Sequence, residues 1–422
     1  MTAPTTTPSL GSAYALRCRE CGALSDLDAS YACVECFGPL EVAYRPIEVT
    51  RADITSGPGS MWRYEALLPV VPGAGRRPGL QPGLTRLVRA DNLAAALGAR
   101  AVWVKDDSGN PTHSFKDRVV AVALENARRL GYDTIACAST GNLANAVAAA
   151  AARAGLTSVV FVPSNLEAGK IVTTAVYGGT LVAIDGNYDD VNRLCCEVAA
   201  ARDWGFVNVN LRPYYAEGSK TVGYEVAEQL GWRLPDAIVS PVASGSLLTK
   251  VDKAFREFVD LGLVDGTDCQ VFGAQATGCS PVSKAFAAGH DVIRPVKPDT
   301  IAKSLAIGNP ADGPYALDVV RRTGGAIADV SDAEIVDGIR LLARTEGIFA
   351  ETAGGVVVAT YRKLLAEGLI DPAAETVLLN TGDGLKTLDA VASTSLPSFT
   401  ISPSFDEFEI RYAALSAGEA TP

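Results

Sequence analysis

The chain has 422 residues, 48% hydrophobic and 20% charged, a composition typical of a globular protein with two or three domains. Its 37 basic and 48 acidic side chains give a formal net charge of −11, which argues against nucleic-acid partners and anionic membranes. No apolar run reaches the ~18 residues of a membrane span and no secretory signal is evident, so we expect a cytoplasmic location without membrane contact.

The amino-terminal region, residues 1–45, contains two Cys-x-x-Cys pairs behind a tail rich in Thr and Pro. Eleven residues separate the pairs, a spacing typical of a tetrahedral zinc site with four thiolate ligands. Such a site has no open position for a substrate, so we predict a structural zinc ribbon. A redox pair of dithiols and a ribbon without metal are the alternatives. The predicted ligands are Cys18, Cys21, Cys33 and Cys36.

Residues 37–85 are rich in Pro and Gly, which predicts a connecting arm, with one short helix near residues 61–68. From Ala101 onward, short apolar runs alternate with longer amphipathic ones. This alternation predicts an α/β fold with parallel sheets, in which ligands collect at the carboxyl ends of the strands. The predicted strands cover residues 101–105, 134–138, 158–162, 180–184, 205–208, 237–240, 270–274 and 376–380. The predicted helices cover residues 119–130, 142–153, 189–202, 221–230, 332–346 and 354–367.

Lys116 lies between a predicted strand and a predicted helix, in the segment Asn-Pro-Thr-His-Ser-Phe-Lys-Asp-Arg over residues 110–118. The positive end of the helix dipole disfavours a cation there, and burial would do the same. Both effects favour a neutral, nucleophilic amine. The spacing alone fits a solvated lysine near a helix end better, because lysines are mostly exposed. Ser114 is predicted to cap this helix.

Three further segments each follow a predicted strand, namely residues 138–145, 240–249 and 380–386. Hydroxyl groups and backbone N–H groups at the start of a helix form an anion-binding site. The first two segments therefore predict sites for a carboxylate or a phosphate. By itself, each of them also fits an ordinary strand-to-helix turn.

The segment around Lys116 resembles the Schiff-base motif of the fold-type II pyridoxal-phosphate (PLP) enzymes, in particular the threonine synthase and dehydratase group. Several later motifs agree with this group in order, so that the likeness covers about residues 82–391. It implies two open α/β domains with parallel sheets beside the small four-cysteine ribbon. The larger, PLP-binding domain is expected over residues 46–121 and 226–395, the smaller over 122–225, and a tail over 396–422.

The resemblance also implies roles for individual residues. Lys116 would carry the cofactor and act in catalysis. The residues implied for cofactor binding are Asn142 and Thr381 at the ring and Ala243, Ser244, Gly245, Ser246 and Leu247 at the phosphate. The residues implied for substrate binding are Ser139 and Thr140 at the carboxylate and Asn210, Arg212 and Lys220 at the phosphate.

Two positions depart from the pattern of the group. Tyr215 stands where the group has an arginine that binds substrate phosphate, and Arg212 is expected to replace it. His113 stands where glycine is common, and we expect it near the substrate. Glu351, in a segment that resembles one near the cofactor of the group, is expected to be mainly structural.

The activity implied is that of the threonine synthase group, the PLP-dependent conversion of O-phospho-L-homoserine and water into L-threonine and phosphate by γ-elimination and β-addition. The partner is then a small amino-acid phosphate, and we expect a homodimer. One alternative is another fold-type II lyase or β-replacement enzyme, of the cysteate synthase or serine/threonine dehydratase type. The other is a cofactor-free zinc-ribbon scaffold protein.

Overall fold

The computed structural model describes residues 9–73, 77–139, 141–266, 268–392 and 396–416. Within these residues the strands form one antiparallel and two mainly parallel sheets. The strands are β1 Ala13–Cys18, β2 Leu24–Ser25, β3 Leu40–Tyr44, β4 Arg86–Arg89, β5 Ala101–Asp106, β6 Thr134–Ala138, β7 Thr157–Pro163, β8 Thr180–Ile184, β9 Gly205–Phe206, β10 Ala237–Pro241, β11 Gln270–Ala276, β12 Ile327–Val330 and β13 Glu375–Asn380.

The α-helices of the described residues range from one turn to four. They are α1 Arg51–Thr55, α2 Asp91–Leu97, α3 Lys116–Arg129, α4 Asn142–Ala154, α5 Ala168–Ala175, α6 Tyr188–Ala201, α7 Arg212–Glu217, α8 Lys220–Gln229, α9 Ser246–Asp260, α10 Pro281–Ala287, α11 Gly313–Arg322, α12 Asp332–Glu346, α13 Thr352–Ala366, α14 Asp389–Ala392 and α15 Phe405–Ser416. Short 3₁₀ helices cover Met61–Leu67, Asp107–Gly109, Lys303–Leu305 and Gly384–Thr387.

The larger sheet has six strands in the order β12-β11-β10-β13-β5-β4. Its central strand β10 is buried along its whole length, as expected for a parallel strand covered by helices on both faces. Helices α8, α9 and α11 pack on one face, and helices α12 and α13 pack on the other. The edge strand β4 runs antiparallel to β5, so the sheet is not entirely parallel.

The smaller sheet has four parallel strands in the order β8-β7-β6-β9. Helices α3 and α4 cover one face, and α6 covers the other. The alanine-rich helix α4 is almost entirely buried and ends at Gly155, whose φ of +71° is the left-handed conformation that favours glycine at a helix end. This sheet lies within the part of the chain assigned above to the smaller domain, between residues 134 and 206.

The amino-terminal sheet, in the order β2-β1-β3, packs directly onto the main body. Leu16 and Val42 from this sheet share one apolar cluster with Trp62, Val122 and Tyr214. Burial against α3 and α7 therefore supplies the core that so short a segment cannot build alone.

The predicted α/β architecture of fold type II is confirmed, and most predicted strands and helices match to within one or two residues. Strand β12 was not predicted, because its four residues include a polar Asp329 and give little apolar signal. No helix in the described part of the chain has the length and apolar character needed to cross a membrane.

Candidate functional site

A cavity of about 180 Å³ lies where strands of both parallel sheets end. Ala138 at the end of β6, Pro241 at the end of β10 and Thr381 just beyond β13 all line it. It therefore occupies the position at which α/β folds bind ligands. The predicted site residues that line it are Lys116, Ser139, Asn142, Arg212, Ala243, Ser244, Gly245, Ser246, Leu247 and Thr381.

Lys116 is the first residue of α3, and its side chain reaches into this cavity. Its Nζ donates a hydrogen bond to the Tyr215 hydroxyl at 3.0 Å and lies 4.5 Å from the centre of the Phe115 ring. Burial lowers the pKa of Lys116 to about 8, while the negative charge of Glu351 acts in the opposite direction. The amine is therefore neutral far more often than that of an exposed lysine.

A buried ion-pair network fixes the start of α3. The Arg118 side chain donates to Asp107 at 2.7 Å and to Glu225 at 2.7 Å, and Lys105 donates to the same Glu225 at 2.7 Å. These charges satisfy one another away from water, so the helix start is held in place. Ser114 does not cap the helix as expected, because the helix begins at Lys116 and the Ser114 hydroxyl has no partner among the described residues.

Residues 243–247 form the loop that starts α9, and all five line the cavity. Gly245 has a φ of +97°, and no side chain caps the helix. A Cβ atom at Gly245 would lie 2.7 Å from the carbonyl oxygen of Asp312, so only glycine fits here. The Ser246 N–H donates to the Ser244 hydroxyl at 3.4 Å, and the other N–H groups at the positive end of this 15-residue helix suit a phosphate.

Ser139 begins the second anion site, at the start of α4. Its hydroxyl oxygen accepts hydrogen bonds from the N–H groups of Gly141 at 3.0 Å and Ala144 at 2.8 Å, so its own side chain caps the helix. Thr140, the other residue expected to bind the carboxylate, lies outside the described residues.

Asn142 lies between two charged side chains at the cavity. It donates to both carboxylate oxygens of Glu351 at 2.9 Å, and its own side-chain oxygen accepts from Lys386 Nζ at 3.2 Å. Burial lowers the pKa of Lys386 to about 8. Glu351 lines the cavity and acts on the charge of Lys116, so it does more than the structural role expected for it.

Arg212 lines the cavity, as expected, but it is not a free cation. Its Nη2 donates to Asp312 at 2.6 Å, and this carboxylate raises the pKa of Arg212. Tyr215, which stands where the threonine synthase group has an arginine, turns its hydroxyl toward Lys116 instead.

The structure does not bring Asn210, Lys220 or His113 to the cavity. Asn210 closes its own loop, with its side chain bonded to the backbone of Phe206 at 2.8 Å and Trp204 at 3.0 Å. Lys220 is fully buried and bonds to the Leu67 carbonyl and to Glu217, each at 2.8 Å. Both side chains already have protein partners and are no longer available to substrate. His113 is exposed, with a φ of +62°.

The four cysteines predicted to bind metal lie together. The Sγ atoms of Cys18 and Cys36 are 3.5 Å apart, those of Cys21 and Cys33 are 3.7 Å apart, and all four lie within 4.8 Å of one another. In a tetrahedral zinc site with Zn–S bonds of about 2.3 Å, the sulfurs lie about 3.8 Å apart. The four thiols therefore fit a structural zinc ion.

Comparison with known proteins agrees with this site. The model of a family described as "Pyridoxal-phosphate dependent enzyme" matches residues 80–382. Solved structures of Escherichia coli diaminopropionate ammonia lyase and a Rhizomucor miehei L-serine ammonia-lyase share the fold. The first has a TM-score of 0.63 and 19% identity and covers 81% of this chain and 91% of its own. The second has a TM-score of 0.62 and 24% identity and covers 74% of this chain and 99% of its own. The fold and the site are thus those of a fold-type II PLP-dependent enzyme.

The relatives define the group more narrowly. A threonine synthase of Methanocaldococcus jannaschii is 37% identical over 385 residues, which are 90% of this chain and 94% of that protein. A threonine synthase of Methanosarcina acetivorans is 38% identical over 379 residues, 88% and 92% of the two chains. The chain belongs to the threonine synthase family of PLP-dependent enzymes.

The cavity residues fit PLP. Lys116 provides an amine, the start of α9 provides N–H groups that suit a phosphate, and Asn142 and Thr381 provide further polar side chains in the same cavity. The cavity also contains a Ser304 hydroxyl that has no hydrogen-bond partner within the described part of the chain. A polar group of this kind, buried without a partner, indicates a site shaped for a ligand.

Sequence reasoning assigned no role to several residues of the cavity wall, because only the fold shows which side chains reach it. They are Tyr31, Tyr188, Asp189, Asn192, Asn208, Ser219, Asn309 and Asp312.

Proposed function

We propose that this chain is a threonine synthase, which converts O-phospho-L-homoserine and water into L-threonine and phosphate. One observation carries the proposal. The cavity is lined by the start of α9, whose backbone N–H groups suit a phosphate, and also by the Arg212 guanidinium, a second group that can bind an anion; Lys116 lines the same cavity. The cofactor has one phosphate, so a second site suits a substrate with a phosphate of its own. The similarity to threonine synthases supports the same activity.

Bound PLP would supply a group that stabilises negative charge at the substrate carbons. Lys116 would hold it through the amine, residues 243–247 would bind its phosphate, and Asn142 and Thr381 would contact its ring. During turnover Lys116 moves protons at Cα and Cβ of the substrate, which requires the neutral amine that burial favours.

The substrate would lie between the starts of α4 and α7. Those N–H groups at the start of α4 that do not donate to Ser139 bind its carboxylate. Arg212, at the start of α7, binds its phosphate until that phosphate leaves from Cγ and water adds at Cβ. Both anionic ends are then fixed, with the reacting carbons within reach of Lys116.

Steady-state release of phosphate from O-phospho-L-homoserine, with threonine detected as the second product, tests this proposal. Wild-type enzyme should form both in equal amounts, and Lys116→Ala should form neither. Because Tyr215 replaces the arginine that binds substrate phosphate in the group, the competing activities must be assayed as well. Formation of cysteate from O-phosphoserine and sulfite, or of ammonia from serine or threonine, without turnover of O-phospho-L-homoserine would contradict the proposal.

A further inference from the structure

Tyr31 belongs to the amino-terminal segment but lines the cavity of Lys116. It lies between the two Cys-x-x-Cys pairs, two residues before Cys33. Its side chain is 52% exposed, which places it at the mouth of the cavity. Its hydroxyl is close enough to Arg212 to affect the guanidinium electrostatically. The four-cysteine segment therefore supplies part of the wall at the end where Arg212 lies.

A second residue of the segment, Arg19, reaches the same end. Its Nη1 lies 3.6 Å from Asp312, whose other oxygen accepts from Arg212 at 2.6 Å. The Arg19 guanidinium also lies 3.4 Å from the centre of the Tyr315 ring. Two guanidinium groups thus share the one carboxylate of Asp312.

Contacts on two sides hold the segment in this position. On the side of α3 and α7, Arg129 donates to the Leu27 carbonyl at 2.6 Å, and the Tyr214 hydroxyl donates to the Asp28 carbonyl at 2.9 Å. On the side of α11, the Tyr315 hydroxyl donates to Glu20. The segment bridges the helices of both parallel sheets, and metal binding by its cysteines would fix the loops that carry Arg19 and Tyr31.

We propose that the four-cysteine segment is part of the substrate site. Tyr31 contacts the phosphate end of the substrate through its hydroxyl. Arg19 is a positioning residue, which balances the charge of Asp312 so that Arg212 is available to the substrate phosphate. The identity of that substrate rests on the function proposed above, whereas the anion site itself rests on the contacts of Arg19, Tyr31 and Arg212.

The first test compares Tyr31→Ala with Val34→Ala in the holoenzyme. Val34 lies in the same segment, is 83% exposed and does not line the cavity. We expect Tyr31→Ala to raise KM for O-phospho-L-homoserine about tenfold, because the contact helps to hold the substrate phosphate before it leaves from Cγ. Val34→Ala should match wild type. Equal KM values for wild type and Tyr31→Ala would contradict the proposed contact between the Tyr31 hydroxyl and the substrate phosphate.

The second test compares Arg19→Gln with Arg17→Gln, two changes that remove the same charge on either side of Cys18. Arg17 pairs with Glu41 instead of Asp312, and its side chain is 53% exposed. The readout is the dissociation constant of the holoenzyme for inorganic phosphate, measured by calorimetry. Arg19→Gln should raise it about five- to tenfold, Arg19→Lys should restore most of the affinity, and Arg17→Gln should have little effect. Equal effects of the Arg19 and Arg17 changes would contradict the positioning role.

Different results would contradict the proposed function and the proposed role of the four-cysteine segment. Absence of O-phospho-L-homoserine turnover in the wild type contradicts the proposed function. The phosphate dissociation constants of the Tyr31 and Arg19 variants then still decide whether the four-cysteine segment belongs to the anion site.

Discussion

Burial lowers the pKa of Lys116 more than any single neighbouring group changes it. An exposed lysine with a pKa of about 10.4 has only about one neutral amine in 2,500 at pH 7. At the pKa of about 8 that burial gives Lys116, about one in ten is neutral. Position at the start of α3 led to the same expectation from the sequence. The opposing effect of Glu351 depends on a side chain more than two hundred residues away and had no local signal.

The lowered pKa of Lys116 predicts how the apoenzyme takes up PLP. Only the neutral amine attacks the aldehyde, so the rate of covalent uptake should rise with pH and level off above a midpoint near pH 8. Stopped-flow absorbance across a pH series, with the labelled peptide identified by mass spectrometry, measures this. A midpoint near pH 10.5 would contradict burial of the amine.

Glu351→Gln serves as the matched variant for that series. The amide keeps an oxygen for Asn142 but removes the negative charge, which favours protonated Lys116. The midpoint should therefore move to lower pH. A move to higher pH would show that Glu351 acts on Lys116 in some other way.

Most of the predicted site residues that reach the cavity lie in motifs that follow a strand. Lys116, Asn142 and Thr381 belong to such motifs and reach the cavity. Asn210 and Lys220 lie in a motif that runs through a loop and into a helix, and sequence spacing does not tell which side chains turn inward. Both turn to protein partners instead.

Among the helices and strands, the start of α9 is the proposed site for the cofactor phosphate. The loop there has only one glycine, Gly245, but backbone N–H groups need no particular side chains to bind phosphate. What the backbone does need is the positive φ at Gly245 and its close approach to Asp312. The sequence located this loop because it follows the strongly apolar strand β10.

Gly245→Ala should weaken PLP binding by more than about tenfold. The new Cβ would lie 2.7 Å from the Asp312 carbonyl oxygen and would disfavour the φ of +97°, so the loop must move away from the phosphate position. The dissociation constant of PLP, obtained by fluorescence titration of the apoenzyme, measures the effect.

Gly262→Ala is the control on the far end of the same helix. Gly262 also has a positive φ, of +65°, but its Cβ would meet open space. It should cost about 1 kcal/mol of stability and leave PLP affinity unchanged. Equal losses of PLP affinity in both variants would mean that the start of α9 is not the phosphate site.

Most long elements were predictable because burial on both faces produces continuous apolar strands, and burial on one face produces amphipathic helices. Strands β4 and β12 were not predicted, since they lie at the edges of the larger sheet and are short. Their pairing comes from the neighbouring strands rather than from their own sequence.

At the scale of the whole molecule, the amino-terminal segment is not a separate appendage. It shares an apolar cluster with α3 and α7 and contacts α11 through Arg19 and Glu20. The four cysteines were evident from their spacing, but the place of this segment beside the cavity depends on long-range packing, for which the sequence carries no signal.

We expect one zinc ion per chain, bound by the four cysteines. Cys21→Ser removes an exposed ligand and should abolish zinc binding and lower the melting temperature by roughly 5 °C, because the metal stabilises only the folded segment. Cys269→Ser changes a buried cysteine outside the cluster and should keep the zinc. Inductively coupled plasma analysis beside thermal unfolding measures both. Equal zinc contents in the two variants would contradict the assignment.

Lys116, half-buried where strands of both parallel sheets end, is the amine that we propose holds PLP. Borohydride reduction of the holoenzyme, followed by peptide mass spectrometry, tests it most directly. We expect a phosphopyridoxyl group on the peptide that contains Lys116, and no such group on that peptide in Lys116→Ala. A label on Lys386, the lysine that donates to Asn142 and has a pKa of about 8, would contradict it.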